Sequence, residues 1–221
     1  MMNLKKMVAY KAAEQIKDGQ VVGLGTGSTA RYFIEKVGMR IRKEELDILA
    51  VPTSYQSLFL ARDWEIPITS IMEHDVDVAV DGADEVDKDF NLLKGGGAAH
   101  TQEKIIDYSA SEFIVIVDDS KLTDKLDKPV PVEVIPASSR LVCEELNSMG
   151  AEVKIRISDA KDGPLITDNG NFIIDADFGP IEDPINLEYE INNIPGVLEN
   201  GIFSRGVDRV MVGTRDGIIE L

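Results

Sequence analysis

Four short stretches gather the residue types that could do chemistry. In the first, Gly23-Leu24-Gly25-Thr26-Gly27-Ser28-Thr29, a glycine-rich turn leads from an apolar run into a helical pattern. Glycines let backbone approach a ligand closely, a helix N-terminus offers free N–H groups, and the Ser28 and Thr29 hydroxyls add donors, which together make an anion cradle. The plain alternative is a tight turn with an ordinary Ser or Thr cap. The second stretch, Asp81-Gly82-Ala83-Asp84-Glu85-Val86-Asp87, follows a buried-looking run. Asp81 and Asp84 could converge on a ligand's hydroxyls or hold a divalent cation, or the stretch is a solvated acidic turn; the spacing is not that of an EF-hand. Third comes Lys94-Gly95-Gly96-Gly97-Ala98-Ala99-His100-Thr101-Gln102-Glu103. Three glycines in a row cost roughly 0.5 to 1 kcal/mol each against alanine in regular structure, which points to a close approach that needs them. Glu103 falls in the opening turns of the following helix, as a reactive base or a surface acid favoured by the helix dipole; position alone favours the surface. The fourth stretch, Asp118-Asp119-Ser120-Lys121, brings another cation to the end of a strand.

Rival readings of these residues fail on spacing. Gly25-x-Gly27-x-x-Ala30 satisfies the dinucleotide fingerprint, but the second strand ends in Val51-Pro52-Thr53-Ser54, without the acid that would hold a ribose hydroxyl. A nicotinamide dehydrogenase is therefore disfavoured. A phosphate-binding P-loop fails as well, because no Gly-Lys pair follows the glycines. His74 and His100, the only histidines, lack ligand spacing, and no metal site is expected. Cys143 sits beside Val142, Leu146 and Met149 in a helical pattern and reads as a small packed residue.

The elements that must position these stretches follow from apolar periodicity. Helices are predicted over 4–16, 28–37, 55–62 and 98–110, and strands over 21–24, 46–51, 76–80 and 113–117, with a short one over 68–71. That alternation argues for a parallel sheet covered on both faces, in which ligands bind at the carboxyl ends of the strands. After Pro129 the order becomes strand 132–135, helix 138–149, strands 152–157 and 171–176, helix 185–192 and strand 197–203, the βαββαβ ferredoxin-like unit, with a hairpin turn at 168–171. Segment 208–221 would return to the first domain. The expected fold is therefore α/β, a Rossmann-like parallel sheet domain (1–129 plus 205–221) with a smaller ferredoxin-like α+β domain (130–204) as a lid or oligomerisation element.

Composition sets the outer limits. With 221 residues, 23 basic and 40 acidic, the formal charge is −17, a field that repels polyphosphate backbones and makes nucleic acid or an anionic membrane an unexpected partner. A small phosphate ligand must then meet locally concentrated cations or N–H groups. One cysteine excludes an internal disulfide and fits a reducing compartment. Residues 1–16 carry a basic pair without an apolar core after it, and no run of about 18 apolar residues occurs, so a cytoplasmic protein is expected.

Taken in order, GTGST at 25–29, DGADEVD at 81–87, KGGGAA at 94–99 with Glu103 beyond it, DxSK ending at Lys121, PVEVIP at 131–136, TDNGN at 167–171, IPGV at 194–197 and GxFxR at 201–205 resemble the type A ribose-5-phosphate isomerase family. The likeness spans nearly the whole chain. It implies that Glu103 matches the catalytic base, and that Thr26, Gly27, Ser28 and Thr29, then Asp81, Gly82, Ala83 and Asp84, then Lys94, Gly95, Gly96 and Gly97, with Lys121 and, by weaker alignment, Lys5, match substrate-binding positions. On this reading Glu103 shuttles a proton between C2 and C1 of ribose 5-phosphate through an enediol(ate). Lys94 stabilises the oxyanion, and Asp81 and Asp84 orient hydroxyls or assist ring opening. A carboxylate in water, with a pKa of about 4.3, is a weak base, so partial desolvation of the base is expected. Such a route calls for no cofactor and no metal. The resemblance also implies a homodimer or homotetramer. A non-catalytic sugar-phosphate-sensing module of related fold is the alternative; the pairing of Glu103 with Lys94 and the lack of an appended DNA-binding helix pair favour the enzyme. The sequence departs from the family pattern at His100, where an apolar residue is usual, and at Gln102, often an arginine; neither is a matched functional position, and both are expected to bear on rim contacts.

Overall fold

A computed structural model describes residues 3–221, so Met1 and Met2 of the expected first domain lie outside the described residues. In chain order the elements are α1 (Leu4–Ala13), β1 (Val21–Leu24), α2 (Ser28–Glu44), β2 (Leu49–Pro52), α3 (Tyr55–Asp63), β3 (Val78–Asp81), β4 (Glu85–Val86), β5 (Leu92–Leu93), α4 (His100–Ser109), β6 (Glu112–Asp118), β7 (Val130–Val134), α5 (Ser139–Ser148), β8 (Glu152–Ile155), β9 (Phe172–Asp177), α6 (Pro184–Asn192), β10 (Val197–Asn200), β11 (Ile202–Phe203), β12 (Arg209–Thr214) and β13 (Gly217–Glu220). They form two compact units. One holds the chain through Ala83 with Gln102–Leu122 and Gly206–Leu221; the other holds Asp84–Thr101 and Thr123–Arg205.

The first unit is a six-stranded sheet in the order β13-β12-β6-β3-β1-β2, parallel except for the β13 edge. β1 and β3 are buried along their whole length, as expected of short Val- and Leu-rich runs covered on both faces. From β1 the chain moves outward to β2 and then returns to the other side of β1 as β3. Strand order therefore reverses at β1 and β3, the switch point where a crevice opens at the carboxyl edge. On one side of the sheet Val8, Ala9 and Ala12 of α1 pack with Phe33, Ile34 and Val37 of α2. Ile106 of α4 packs with Val21, Val51 and Val76.

The second unit carries β7-α5-β8-β9-α6-β10 as an antiparallel sheet in the order β10-β7-β9-β8, the arrangement of a βαββαβ unit. Val130, Val132, Val134, Ile174 and Ala176 face Val142, Leu146 and Ile191 of the helices. The strand expected over 197–203 is two strands in two sheets, because Gly201 turns the chain from β10 into the small sheet β11-β5-β4. The Gly201 N–H donates to the Pro131 carbonyl at 2.8 Å and its own carbonyl accepts the Lys94 N–H at 2.8 Å. A Cβ there would lie 2.3 Å from the Lys94 carbonyl oxygen. The expected turn at 168–171 forms, with Gly170 at φ 83°, but it closes a long connection that includes an Ile157–Pro164 bridge. The strand expected at 68–71 is a single bridge from Ile68 to Ala50.

The expected division at 129 and the compact units differ over 84–101 and 123–129. Both segments group with the second unit because β4 and β5 pair with β11, and the Glu85 carboxylate accepts the N–H groups of Asp127 and Lys128 at 2.9 and 3.1 Å. No helix among the described residues is long and apolar enough to cross a membrane.

Gly23 sets how closely α4 lies against β1. A Cβ there would meet Ile106 Cγ2 at 2.9 Å and the Ala79 Cβ at 3.0 Å. Gly23→Ala should overpack this seam and cost about 1 to 3 kcal/mol, read as a lower urea midpoint at unchanged m-value.

Candidate active site

In the first unit the expected residues collect at the carboxyl edge of the sheet. Asp81 ends β3 and is wholly buried. Its Oδ1 accepts the N–H of Thr26 at 3.0 Å and that of Gly82 at 2.6 Å. Gly25 makes this approach possible, since a Cβ there would sit 2.1 Å from the same oxygen. The Thr26 hydroxyl is tied to Thr53 and Ser54 at 2.8 and 2.6 Å, which fixes the loop from its other side. Gly27, at φ 106°, starts α2 without a side-chain cap, so the first-turn amides, the positive end of the helix dipole, are left for another acceptor. Lys5 on α1 donates to Ser28 Oγ at 3.0 Å and so stands beside that N-terminus. Gly82 lies against Thr29. Lys121 occupies a single 3-10 turn after β6, the strand next to β3, and the Asp118 carboxylate fixes that turn by accepting from the N–H and hydroxyl of Ser120. Glu103, in the first turn of α4, is only 5% exposed. The surface reading of this residue therefore fails, and the side chain is largely withdrawn from water.

In the second unit β4 and β5 hold the rest. Lys94 follows β5 and is 2% exposed, its ammonium 5.3 Å from the centre of the Phe203 ring. Gly95 is at φ 101°, with His100 and Pro131 packed where a Cβ would be, and Ala98 adopts the left-handed conformation at φ 56°. Asp84 Oδ2 accepts the Gly96 N–H at 2.8 Å, while the Asp84 carbonyl accepts from Lys128 Nζ at 2.7 Å. A cavity of about 530 Å³ opens here, lined by Asp84, Lys94, Gly96, Lys128, Arg156 and Asp175 among others. His100 belongs to no rim: it is wholly buried, with Nε2 3.3 Å from the Glu199 carbonyl oxygen.

Three residues near these loops have no counterpart in the sequence reading. Glu133, on β7, is wholly buried and accepts from the hydroxyls of Thr101 and Thr167 and the side-chain amides of Asn169 and Asn171. Burial alone would raise its pKa; the four donors outweigh that and hold the carboxyl below its ordinary value. Arg156 and Asp175 form a forked ion pair whose free nitrogen reaches the Gly95 carbonyl. The available signal was strand alternation, which puts Glu133 and Asp175 on the face of the second sheet away from the helices. Among the described residues, no group of three or more His, Cys, Asp or Glu side chains is arranged to hold a metal ion.

A family model described as ribose 5-phosphate isomerase A (phosphoriboisomerase A) matches residues 49–217. The chain is 63% identical over 218 residues to a ribose-5-phosphate isomerase A of Methanothermobacter thermautotrophicus, covering 98% of this chain and 96% of the relative. Its fold superposes on that of a ribose 5-phosphate isomerase A from Methanocaldococcus jannaschii with a TM-score of 0.96 at 56% identity, covering 99% and 97% of the two chains. A second solved structure, a D-ribose-5-phosphate isomerase in complex with phospho-erythronic acid, gives a TM-score of 0.97 at 53% identity and covers 100% and 99%.

The Glu133 cluster makes a pH-resolved prediction. A carboxyl whose folded pKa is depressed contributes stability that is complete above its unfolded value, near 4.5, and is lost as pH falls through the folded value. Glu133→Gln should cost about 2 kcal/mol at pH 7, as four donors lose a charged acceptor. Urea unfolding of both proteins from pH 7 to pH 3 should show that difference shrinking below pH 4.5.

Proposed function

The chain belongs to the ribose 5-phosphate isomerase A family, and on that footing we propose that it interconverts D-ribose 5-phosphate and D-ribulose 5-phosphate with Glu103 as the base. The observation that carries this reading is the near-full-length match to isomerases of that name, with each glycine and carboxylate stretch at a strand or helix end where a ligand can be met. Glu103 takes the proton from C2; the C–H pair forms the C1=C2 bond, and the carbonyl electrons move onto O1. A proton passes from the C2 hydroxyl to O1, and Glu103 returns its proton to C1, leaving the ketone at C2. Lys94 and neighbouring N–H groups offset the charge on the enediolate oxygens. Asp81 and Asp84 orient the hydroxyls or assist opening of the sugar ring. Phospho-erythronic acid, which one solved relative binds, carries a carboxylate that resembles the two oxygens of an enediolate, and this supports the same ligand class here.

The phosphate has a separate task. It does not react, so its binding energy can hold C1 and C2 against the base. We assign it to the N-terminus of α2, with Thr26, Gly27, Ser28 and Thr29, and to Lys5 and Lys121. The uncapped start of α2 and the Lys5–Ser28 bond support this assignment. A reducing cytoplasm is the proposed location, supported by the lone Cys143, whose thiol burial pushes up in pKa and keeps unreactive. We further propose a homodimer or homotetramer; the exposed Ile185 and Tyr189 of α6 support self-association.

Glu103→Gln should lower kcat by about 10² to 10⁴ while leaving KM within a few-fold, and should abolish exchange of the C2 proton with solvent. Undiminished exchange would remove Glu103 from the reaction. Lys121→Ala should raise KM for ribose 5-phosphate with less effect on kcat; initial rates with no nucleotide added decide it.

A further inference from the structure

We propose that Arg156, held by Asp175, is a positioning residue that fixes the Gly95–Gly96 peptide and, through it, the carboxylate of Asp84. The proposal rests on the isomerase reading for its consequence but on geometry for its existence. Arg156 Nε donates to Asp175 Oδ2 at 2.9 Å and Nη2 donates to Oδ1, a side-on fork that holds the guanidinium plane. The remaining Nη1 donates to the Gly95 carbonyl at 2.8 Å and lies 3.4 Å from the Gly96 carbonyl oxygen. On the opposite edge of the same peptide, the Gly96 N–H donates to Asp84 Oδ2 at 2.8 Å.

A trans peptide points its C=O and N–H in opposite directions, so the Gly95–Gly96 unit is held at both ends, by a guanidinium on one side and a carboxylate on the other. Pulling the carbonyl toward Arg156 aims the amide at Asp84. The Gly96 carbonyl leans the same way, which turns the Gly97 N–H away from the guanidinium. Inside the loop the Ala98 N–H donates to the same Gly95 carbonyl at 3.0 Å, and Arg156 is the side chain that reaches this oxygen from outside the loop. Gly96 and Gly97 are exposed and glycine is the most permissive residue, so without a clamp the loop would sample many conformations. A Cβ at Gly96 would lie 3.0 Å from both Asp84 oxygens, so a larger residue there would have to displace the carboxylate.

Arginine is the residue the task requires. A lysine ammonium can satisfy either the carboxylate or the carbonyl, but it cannot span both in one plane. Arg156 and Asp175 both line the cavity that Asp84, Lys94 and Gly96 also line. Arg156 is therefore close enough to act on the site's geometry, with Nε and Nη2 bonded to Asp175 and Nη1 to backbone.

The test compares wild type with Arg156→Lys, Arg156→Ala and Asp175→Asn, reading kcat, KM, inhibition by phospho-erythronic acid, melting temperature and the amide resonance of Gly96 in labelled, ligand-free protein. The expected result for Arg156→Lys is a 10- to 100-fold loss of kcat with KM within about threefold. Inhibition should weaken by more than KM rises, and the Gly96 resonance should move. Asp175→Asn should go the same way by a smaller factor, and guanidinium ion at non-denaturing concentration should restore part of the kcat of Arg156→Ala. A folded Arg156→Lys with unchanged kcat and an unmoved Gly96 resonance would overturn the proposal, as would a rate loss accounted for by unfolded protein alone. Failure of the isomerase reading looks different: wild type itself would not convert ribose 5-phosphate, whatever the Gly96 resonance does.

Discussion

A buried carboxylate pressed against a glycine is the constraint from which the loops at the first unit's carboxyl edge follow. Asp81 stands at the end of β3 with no exposure to solvent, and its charge is acceptable there because main-chain N–H groups of Thr26 and Gly82 point at one oxygen. Those donors are available only if the loop after β1 passes directly over the carboxylate, and it can do so only because residue 25 has no Cβ: one built there would come 2.6 Å from the Asp81 Cα itself. Once the loop is held there, Thr26 reaches Thr53 and Ser54 at the head of α3, Gly27 takes its positive φ, and α2 begins with its amides uncapped. A single close approach thus aligns a carboxylate, a hydroxyl cluster and a helix N-terminus.

The second unit uses the same physics twice more. Asp84 is brought against Gly96, and the chain on either side is tied down by β4 pairing with β5 and β5 with β11. Glu133 then takes hold of Thr101, two residues before Glu103 in α4, together with three side chains of the 167–171 turn. A charge removed from water demands donors from several directions, and those directions are what specify the loops. Asp81 and Asp84 therefore organise backbone, with a glycine against each, whereas Glu133 gathers side chains.

Much of this was legible in the sequence, and the exceptions have physical causes. Short apolar runs marked the parallel strands, and the polar residues just beyond them marked the carboxyl edge. α2 was expected to end at residue 37, yet it runs on to Glu44 with Gly38 inside the helix: the missing Cβ is what lets Trp64 of the neighbouring segment approach, at 2.5 Å from the position such an atom would take. α1 stops at Ala13 although the apolar pattern reaches Ile16, since Arg40 Nη1 takes the carbonyls of Ala13 and Ile16 at 2.7 Å and closes the helix end. β4 and β5 are two residues each, too short to show any period. Glu133 and Asp175 were visible as polar alternations, but alternation reports which face a residue takes and not what covers that face; a solvated edge and a buried carboxylate look alike until the 167–171 turn is placed over it. The four stretches themselves were found because glycine and acid repeats are unusual in any regular element, whereas Arg156 gives no local signal at all: its importance lies in the two partners it spans.

The charge of the chain finally bears on how a sugar phosphate could approach it. At −17, the molecule repels a dianion at long range, but at physiological ionic strength that field decays over about 8 Å, so binding is decided by groups within contact distance. The proposed donors are of two kinds: a few ammonium groups, Lys5 and Lys121 in the first unit and Lys94 in the second, and main-chain amides at the start of α2 and along the glycine loop. Amides carry no net charge, do not titrate and need no counter-ion, so a strongly acidic protein can add anion affinity through them without adding partners for its own carboxylates. Each such amide must first be aimed, however, and a glycine loop will not aim itself. Asp81 and Asp84 do this by accepting main-chain N–H groups of the glycine loops, and the Arg156 guanidinium holds the opposite edge of one of those peptides.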